Sequence, residues 1–417
     1  MDTRYNPYPR ELAVPLCRPP ALAIDQALAF GDGSEHGSAR GTLRALRDEL
    51  GRQLGREPER VVPTTSGRAA LSLALHALSL AKLDASAGAL QGRRRDEVIV
   101  PSFGCPQVIE AVLDVGLTPV LCDTAPDRAV PDLAAIEAVA SERSLALVAA
   151  SVLGERVDLE AVEAWAEAAG VAVIDDAAQA FAGAPKSGRC PGAGGQLGVL
   201  SFGRHKPVCV GEGGALVVNA PALAPFVQAA REQLDIRWRR AAFARARADE
   251  PATPRPWFTD VADALAHPLP PPYAADMDGA TAVRVFARLA ETDEPELAAR
   301  VAERLAARTP ARLRLRPHDP ALPRLYFAVE VPPSERHVLA GSLAAAGVET
   351  SWLYLPLHHS PRYAGYTRAP LIHAEALWPK LLLLPCRGWL SPAQVERVAE
   401  ALASLAQLEP ASAEVQP

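Results

Sequence analysis

The chain has 417 residues, enough for about two or three domains or one large α/β subunit. Hydrophobic residues make up 49% of it, so a sizeable core can be buried, while a net charge of −6 supplies no overall positive field toward nucleic acid. The six cysteines are scattered, with no CxxC pair and no His/Cys cluster at zinc-ligand spacing, and no apolar run approaches the roughly 20 residues that span a membrane. A cytoplasmic protein with no metal centre is the expectation.

The first residues, "MDTRYNPYPRELAVPLCRPP", are proline-rich and lack the apolar core of a signal peptide. Residues 1 to about 40 read as an arm, followed by an amphipathic helix over "GTLRALRDELGRQLG" (41–55). "VVPTTSGRAALSLALHALSLA" reads as a short strand, a turn and an apolar helix. After a loop containing "QGRRRDE", strands are expected at "VIVPSF", "TPVLCDT", "LALVAAS" and "VAVIDD". Helices fall between them at "PQVIEAVLDVG", near 131–141 and at "LEAVEAWAEAAG". These strands are apolar throughout rather than alternating, which marks a parallel sheet covered on both faces. "QLGVLSFG" and "GGALVVN" flank a glycine-rich turn that holds Lys206.

The order breaks down between about 221 and 275, where the sequence is first basic and then proline-rich. A long helical pattern resumes at 281, and the remainder reads as a small α+β unit. The reading is an α/β protein in four parts: an N-terminal arm and helix (1–54), a large domain with a mostly parallel sheet flanked by helices (55–290), a smaller α+β C-terminal domain (291–408), and a disordered tail (409–417).

Three places at the C-terminal ends of expected parallel strands could carry chemistry, since ligands bind there in such sheets. In "TTSGRAALSLAL", Thr65, Ser66 and Gly67 precede a helix whose free N–H groups form an anion site, or simply an ordinary N-cap. Arg68 sits in the first helical turn, where the helix dipole disfavours a cation and a bound phosphate would remove the conflict. In "VAVIDDAAQAFAG", Asp176 ends a strand and Gln179 follows three residues later. The third place is Lys206, with Ser201 five residues before it. An anion cradle, a buried carboxylate and a lysine are together what pyridoxal 5'-phosphate requires. The lysine forms a Schiff base with the aldehyde, the carboxylate keeps the pyridine nitrogen protonated, and the helix start holds the phosphate.

The order and wording of "TTSGRAALSLAL", "VIVPSF", "VIDDAAQAFAG", "SFGRHKPVCVGEGGALVVN" and "GVETSWLYLPLHHSPRY" resemble the DegT/StrS family of aminotransferases, over roughly residues 40 to 405. The resemblance implies a fold-type-I architecture, a homodimer, and transfer of an amino group from an amino acid such as L-glutamate to a keto-sugar on a nucleotide carrier. It implies Lys206 as the Schiff-base lysine, Asp176 as the pyridinium partner, Gln179 at the ring oxygen, and Ser201 with Ser66 and Gly67 around the phosphate. Some branches of the family are dehydratases with histidine at the lysine position. Here His205 precedes Lys206, but the lysine is present, which favours transamination.

Departures from the family pattern matter too. Arg68 stands where the family usually has threonine, and either binds the phosphate or points away. Cys105 stands where an aromatic residue usually stacks on the ring, with Phe103 two positions before it, and both are candidates for contact with the cofactor. The family's Asn-x-Arg segment is represented by Ala274 and Asp276. Arg231, Arg237, Arg239, Arg240, Arg245 and Arg247 either bind an anionic substrate handle or form a solvated helix face. His358 matches a family histidine and, with Arg362, either faces the substrate or is structural. Two alternatives stay open: a pyridoxal-phosphate enzyme acting on a non-sugar natural-product precursor, and a non-catalytic regulator that binds the same cofactor.

Overall fold

The computed structural model describes residues 39–89, 95–185, 188–247, 271–272, 274–290 and 293–408. The expected arm before residue 39, the tail from 409, Arg93 and Arg94 of "GRRRDE" and most of the proline-rich stretch, 248–270, lie outside them, whereas Arg95 is described and donates to the carbonyls of Ser144 and Ala169 at 3.0 Å each. Seven strands form one sheet: β1 (Val61–Thr64), β2 (Glu97–Pro101), β3 (Thr118–Cys122), β4 (Ser144–Ala150), β5 (Ala172–Asp176), β6 (Leu197–Ser201) and β7 (Gly214–Val218), in the order β1-β7-β6-β5-β4-β2-β3. The pairs β2/β3, β2/β4, β4/β5 and β5/β6 are parallel. Only β7 runs against its neighbours β6 and β1. It departs from an all-parallel reading because the Lys206 turn brings the chain straight back along β6. Since β7 opposes both neighbours, β1, β5 and β6 point the same way and end on one edge.

Helices cover both faces. On one face α1 (Ala39–Leu54) and α7 (Gly279–Leu289) enclose Leu46, Leu50, Leu54, Val61, Leu200, Val217 and Val285. On the other, α2 (Gly67–Ala89), α3 (Pro106–Asp114) and α6 (Ala224–Arg247) close over Val98, Val100, Ile174 and Leu216. A buried aliphatic side chain contributes roughly 1.5–3 kcal/mol. The central strands are buried at every position, so they read as apolar runs without alternation.

Between β3 and β5 lie α4 (Leu133–Glu137) and α5 (Leu159–Ala169), each N-capped by an aspartate, Asp132 and Asp158, that accepts from a first-turn N–H. The stretch from 224 to 247 is a continuous helix, which its charged sequence had concealed. The helical pattern from 281 is two helices, α7 and α8 (Glu294–Ala306), α8 opening with Pro295 in its first turn. The remaining chain forms an antiparallel sheet of β8 (Arg314–Leu315), β9 (Tyr326–Glu330) and β10 (Leu381–Pro385), with α9 (Arg336–Ala345), α10 (Ile372–Leu377) and α11 (Pro392–Ser404). Helix α11 starts with a capping box between Ser391 and Gln394. Its Val398 and Leu402 join one apolar cluster with Ile99, Phe103 and Val173 of the large sheet.

Candidate active site at the strand ends

The ends of β1, β6 and β7 lie in one row. Gly214 pairs with Thr64 on one side and with Ser201 on the other. That register delivers Ser66 and Gly67, which open α2, against Ser201. A Cβ on Gly67 would sit 2.8 Å from Ser201 Cβ and 3.0 Å from its Oγ. A Cβ on Gly214 would sit 2.5 Å from Gly67 N. Both positions therefore need glycine for the backbones to approach this closely. Ser66 Oγ caps α2 by accepting from Ala69 N at 3.1 Å, and Gly203 N donates to Ser201 Oγ at 3.5 Å. Two hydroxyls and the N-terminus of a long helix converge here, which is the donor set a phosphate monoester requires.

Asp176 ends β5 beside β6, in register with Val199, two residues before Ser201. Its carboxylate is buried and accepts from Ala178 N at 3.0 Å. Burial pushes its pKa up, opposed by the Ala178 N–H bond and the positive charge of Lys206. The same Lys206 charge acts on the Cys105 thiol, whose pKa burial nevertheless raises. The strand ends thus bring Asp176, Lys206 and Cys105 within electrostatic reach of each other. A buried carboxylate gains most from a cationic partner, so a protonated pyridine nitrogen suits Asp176. With the cradle at Ser66, Gly67 and Ser201, the residues fit pyridoxal phosphate.

Lys206 is half-buried at the end of a turn in which its N–H donates to Gly203 O at 3.3 Å. His205 at the third position of this turn has φ 69°, a left-handed conformation that non-glycine residues seldom hold. Such conformations persist where the surroundings over-determine the backbone.

Other expected site residues are placed differently. Arg68 points away from the helix start. Its guanidinium donates to Asp114 at 2.7 and 2.8 Å, to Gln107 at 3.1 Å and to Glu110 at 3.4 Å. Carboxylates on α3, rather than a phosphate, answer the conflict with the helix dipole. Phe103 is wholly buried, edge-on to Tyr354 with centroids 6.4 Å apart, while Cys105 is the one of the two on which the Lys206 and Asp176 charges act. Gln179 donates to Tyr354 Oη at 3.0 Å and accepts from Leu153 N at 3.3 Å. Arg362 donates to Glu110 at 2.7 Å. His358 Nε2 lies 3.0 Å from Glu375 Oε1, and its ring stacks on His359 with centroids 4.5 Å apart. Arg237 is on the exposed face of α6. Ala274 and Asp276 lie beside β1: Thr65 Oγ1 donates to Ala274 O at 2.6 Å, and Asp276 pairs with Arg231 at 2.6 Å.

Sequence reasoning did not single out Tyr354, Glu110 or Arg387. The last of these follows the apolar run "LLLLPC", where a cation at the end of a buried strand signals a partner elsewhere in the chain.

Residues 42–403 match the DegT/DnrJ/EryC1/StrS aminotransferase family. The chain belongs to this family. The family's aminotransferases depend on pyridoxal phosphate, and this chain is a pyridoxal-phosphate-dependent aminotransferase. It is 26% identical to a dTDP-4-dehydro-2,3,6-trideoxy-D-glucose 4-aminotransferase of Saccharopolyspora spinosa over 369 residues, 86% of this chain and 87% of that one. It is 30% identical to a GDP-perosamine synthase of Caulobacter vibrioides over 319 residues, 74% of this chain and 78% of that one. Its match to an L-glutamine:2-deoxy-scyllo-inosose aminotransferase of Streptomyces paromomycinus, at 32% identity, spans 49% of this chain and only 46% of that relative. Among solved structures, the aminotransferase TlmJ of Streptoalloteichus hindustanus shares the fold with a TM-score of 0.71, at 23% identity and covering 94% of this chain and 99% of the other. No described helix of this family member is long and apolar enough to cross a membrane.

Proposed function

We propose that this chain moves an amino group from an amino acid, L-glutamate or L-glutamine, to the carbonyl of a keto-sugar, with Lys206 and Asp176 at the centre of the site. The observation that carries this reading is the arrangement of Lys206, Asp176 and the Ser66–Gly67–Ser201 cradle on the edge where β1, β5 and β6 end. Pyridoxal phosphate, when bound, accepts the electrons of the bond broken at the substrate's α-carbon. The protein's part is to hold the phosphate at Ser66, Gly67 and Ser201 and to keep a proton on the ring nitrogen through Asp176. Lys206 Nζ anchors the cofactor and, once freed by the incoming donor, takes the α-proton as general base.

The acceptor class admits two readings. The relatives aligned over most of their length are named for nucleotide-linked sugars, which supports a nucleotide-linked keto-sugar. A specific observation favours a free cyclitol or another ketone without a nucleotide. Where the family carries Asn-x-Arg, this chain has Ala274 and Asp276, and Asp276 is ion-paired with Arg231, so the segment itself supplies no arginine for a diphosphate. The inosose aminotransferases among the relatives act, by name, on such a cyclitol. We further propose that the chain works as a homodimer in the cytoplasm, which sedimentation of the purified protein and fractionation of its host test.

The first experiment is the absorbance spectrum of the purified protein with pyridoxal phosphate, followed by each amino donor. A visible band of lysine-bound cofactor, absent in Lys206→Ala and lost on adding donor, is the expected result. A band insensitive to both donors rejects them, and no band in the wild type rejects the assigned site. Amination assays with nucleotide keto-sugars and cyclitol ketones in parallel then separate the two acceptor classes.

A further inference from the structure

We propose that Arg387, braced by Glu294, is a positioning residue for Lys206, an inference that rests on Lys206 being the cofactor lysine. Arg387 follows β10 and is 2% exposed. Its Nε donates to Glu294 Oε1 at 2.7 Å, in the first turn of α8. Its two terminal nitrogens reach across to the Lys206 turn. Nη1 and Nη2 donate to Lys206 O at 3.4 and 3.3 Å, and Nη2 also donates to Pro207 O at 3.4 Å. Glu294 Oε1 also accepts from Gly388 N at 3.2 Å, which fixes the carboxylate that fixes the arginine.

His205 holds a left-handed φ of 69°, Lys206 N donates to Gly203 O at 3.3 Å, and Val210 N donates to Phe202 O at 2.9 Å, so these bonds close the turn on the N-terminal side of the lysine. The peptide oxygens on the other side of Lys206 are held by the guanidinium alone among the contacts described for them. A planar fork can satisfy a carboxylate and two carbonyls at once, which a lysine ammonium at the same position cannot do with the same directions. A buried cation at the end of an apolar strand carries a desolvation penalty that an apolar side chain would avoid. Its position on the main chain of the cofactor lysine accounts for a function that this penalty serves. The brace fixes the main chain from which the Lys206 side chain departs.

A purely structural ion pair would couple α8 to β10 and leave Lys206 indifferent. The distinguishing measurement is the rate at which pyridoxal phosphate becomes covalently attached to Lys206 in the full-length protein freed of cofactor, read by borohydride reduction and peptide mass. It is paired with the non-covalent affinity for the cofactor in a Lys206→Ala background. We expect Arg387→Met to slow attachment by at least about tenfold, and Arg387→Lys to restore it only in part. Affinity in Lys206→Ala and in Lys206→Ala/Arg387→Met should agree within about twofold, because the brace acts through the lysine. Unchanged attachment in Arg387→Met, or an equal loss of affinity in the Lys206→Ala background, overturns the proposal. If Arg387→Met does not fold, Glu294→Gln carries the test: it keeps the arginine but loosens it, slower attachment supports the brace and an unchanged rate rejects it. A wild type that attaches no cofactor, indistinguishable from Lys206→Ala, removes the function reading itself, whereas normal wild-type attachment with an unaffected Arg387→Met removes only the brace.

Discussion

Two buried polar clusters flank the start of α2, and they are built on opposite plans. On the α3 side, Glu110 accepts from Arg362 and Tyr363 at 2.7 Å each and from Arg68 at 3.4 Å, while Asp114 takes Arg68 at 2.7 and 2.8 Å and Ser72 at 3.2 Å. Two carboxylates face two guanidiniums, and every oxygen is engaged. On the β5 side, Asp176 accepts one backbone N–H, and its other oxygen has no hydrogen-bond partner among the described residues. The Lys206 charge acts on it, with no hydrogen bond described between them. A saturated cluster is complete without a ligand. A half-satisfied carboxylate facing a lysine and a phosphate cradle becomes complete only with one.

This contrast orders the expected effects of substitution. The largest belongs to Lys206→Ala, which should lower turnover by at least about 10⁴-fold, since on the proposed reading it removes both covalent anchor and base. Stopped-flow or steady-state amination with a saturating donor measures it, and near-normal turnover would break the assignment. Next is Asp176→Asn, which should still bind cofactor but lose roughly 10²–10³-fold in kcat, because a neutral amide cannot hold the ring nitrogen protonated. A full loss of cofactor binding instead would mean that Asp176 anchors rather than tunes.

Arg68→Met sharpens the comparison from the other side. It leaves Asp114 and Glu110 buried without their shared cation, and should destabilise the fold by about 3 kcal/mol in denaturant titration. The spectrum of bound cofactor should not change, because the guanidinium does not reach the cradle. Loss of the cofactor band at unchanged stability would return Arg68 to the phosphate.

How much of this was legible in the sequence follows the range of the interactions. Strand β4, "SLALVAA", is buried at all seven positions, so a local apolar run sufficed to reveal a central parallel strand. The placement of Ser66, Gly67, Asp176, Ser201 and Lys206 at or just beyond strand ends was legible because each lies within a short local pattern. The helix α6 was not, because only a narrow stripe of it faces inward. Val227, Ala230, Leu234 and Trp238 are buried at spacings of three and four, while Arg237, Arg239 and Arg240 between and beyond them are exposed. The orientation of Arg68 was beyond local reading, since its partner Asp114 lies 46 residues on, and Arg387 meets Lys206 across 181 residues. Partners at such separations are set by the packed sheet, not by neighbours in the chain.

The smallest effect tests the two adjacent aspartates against each other. Asp175 and Asp176 are consecutive strand residues, so their side chains leave opposite faces of the sheet. Asp175 Oδ2 accepts from Gly192 N at 2.8 Å and Gly194 N at 3.0 Å, fastening the loop before β6. Burial outweighs those two bonds and pushes its pKa from an ordinary value near 3.8 to about 6. A folded-state pKa above the unfolded one means that the native state holds the proton more tightly. The resulting contribution to stability is present in full below the ordinary value and is lost as pH rises through about 6. Asp175→Asn removes that titration while keeping a carbonyl oxygen that can take the place of Oδ2 and accept from both glycine N–H groups. Unfolding free energies measured between about pH 4 and 6 should therefore fall more steeply with pH in the wild type than in the variant. The covalent attachment of cofactor to Lys206 should be equal in both, because this carboxylate faces the loop and not the site. If Asp175→Asn instead abolished attachment while leaving the pH dependence intact, the roles of the two aspartates would have to be exchanged.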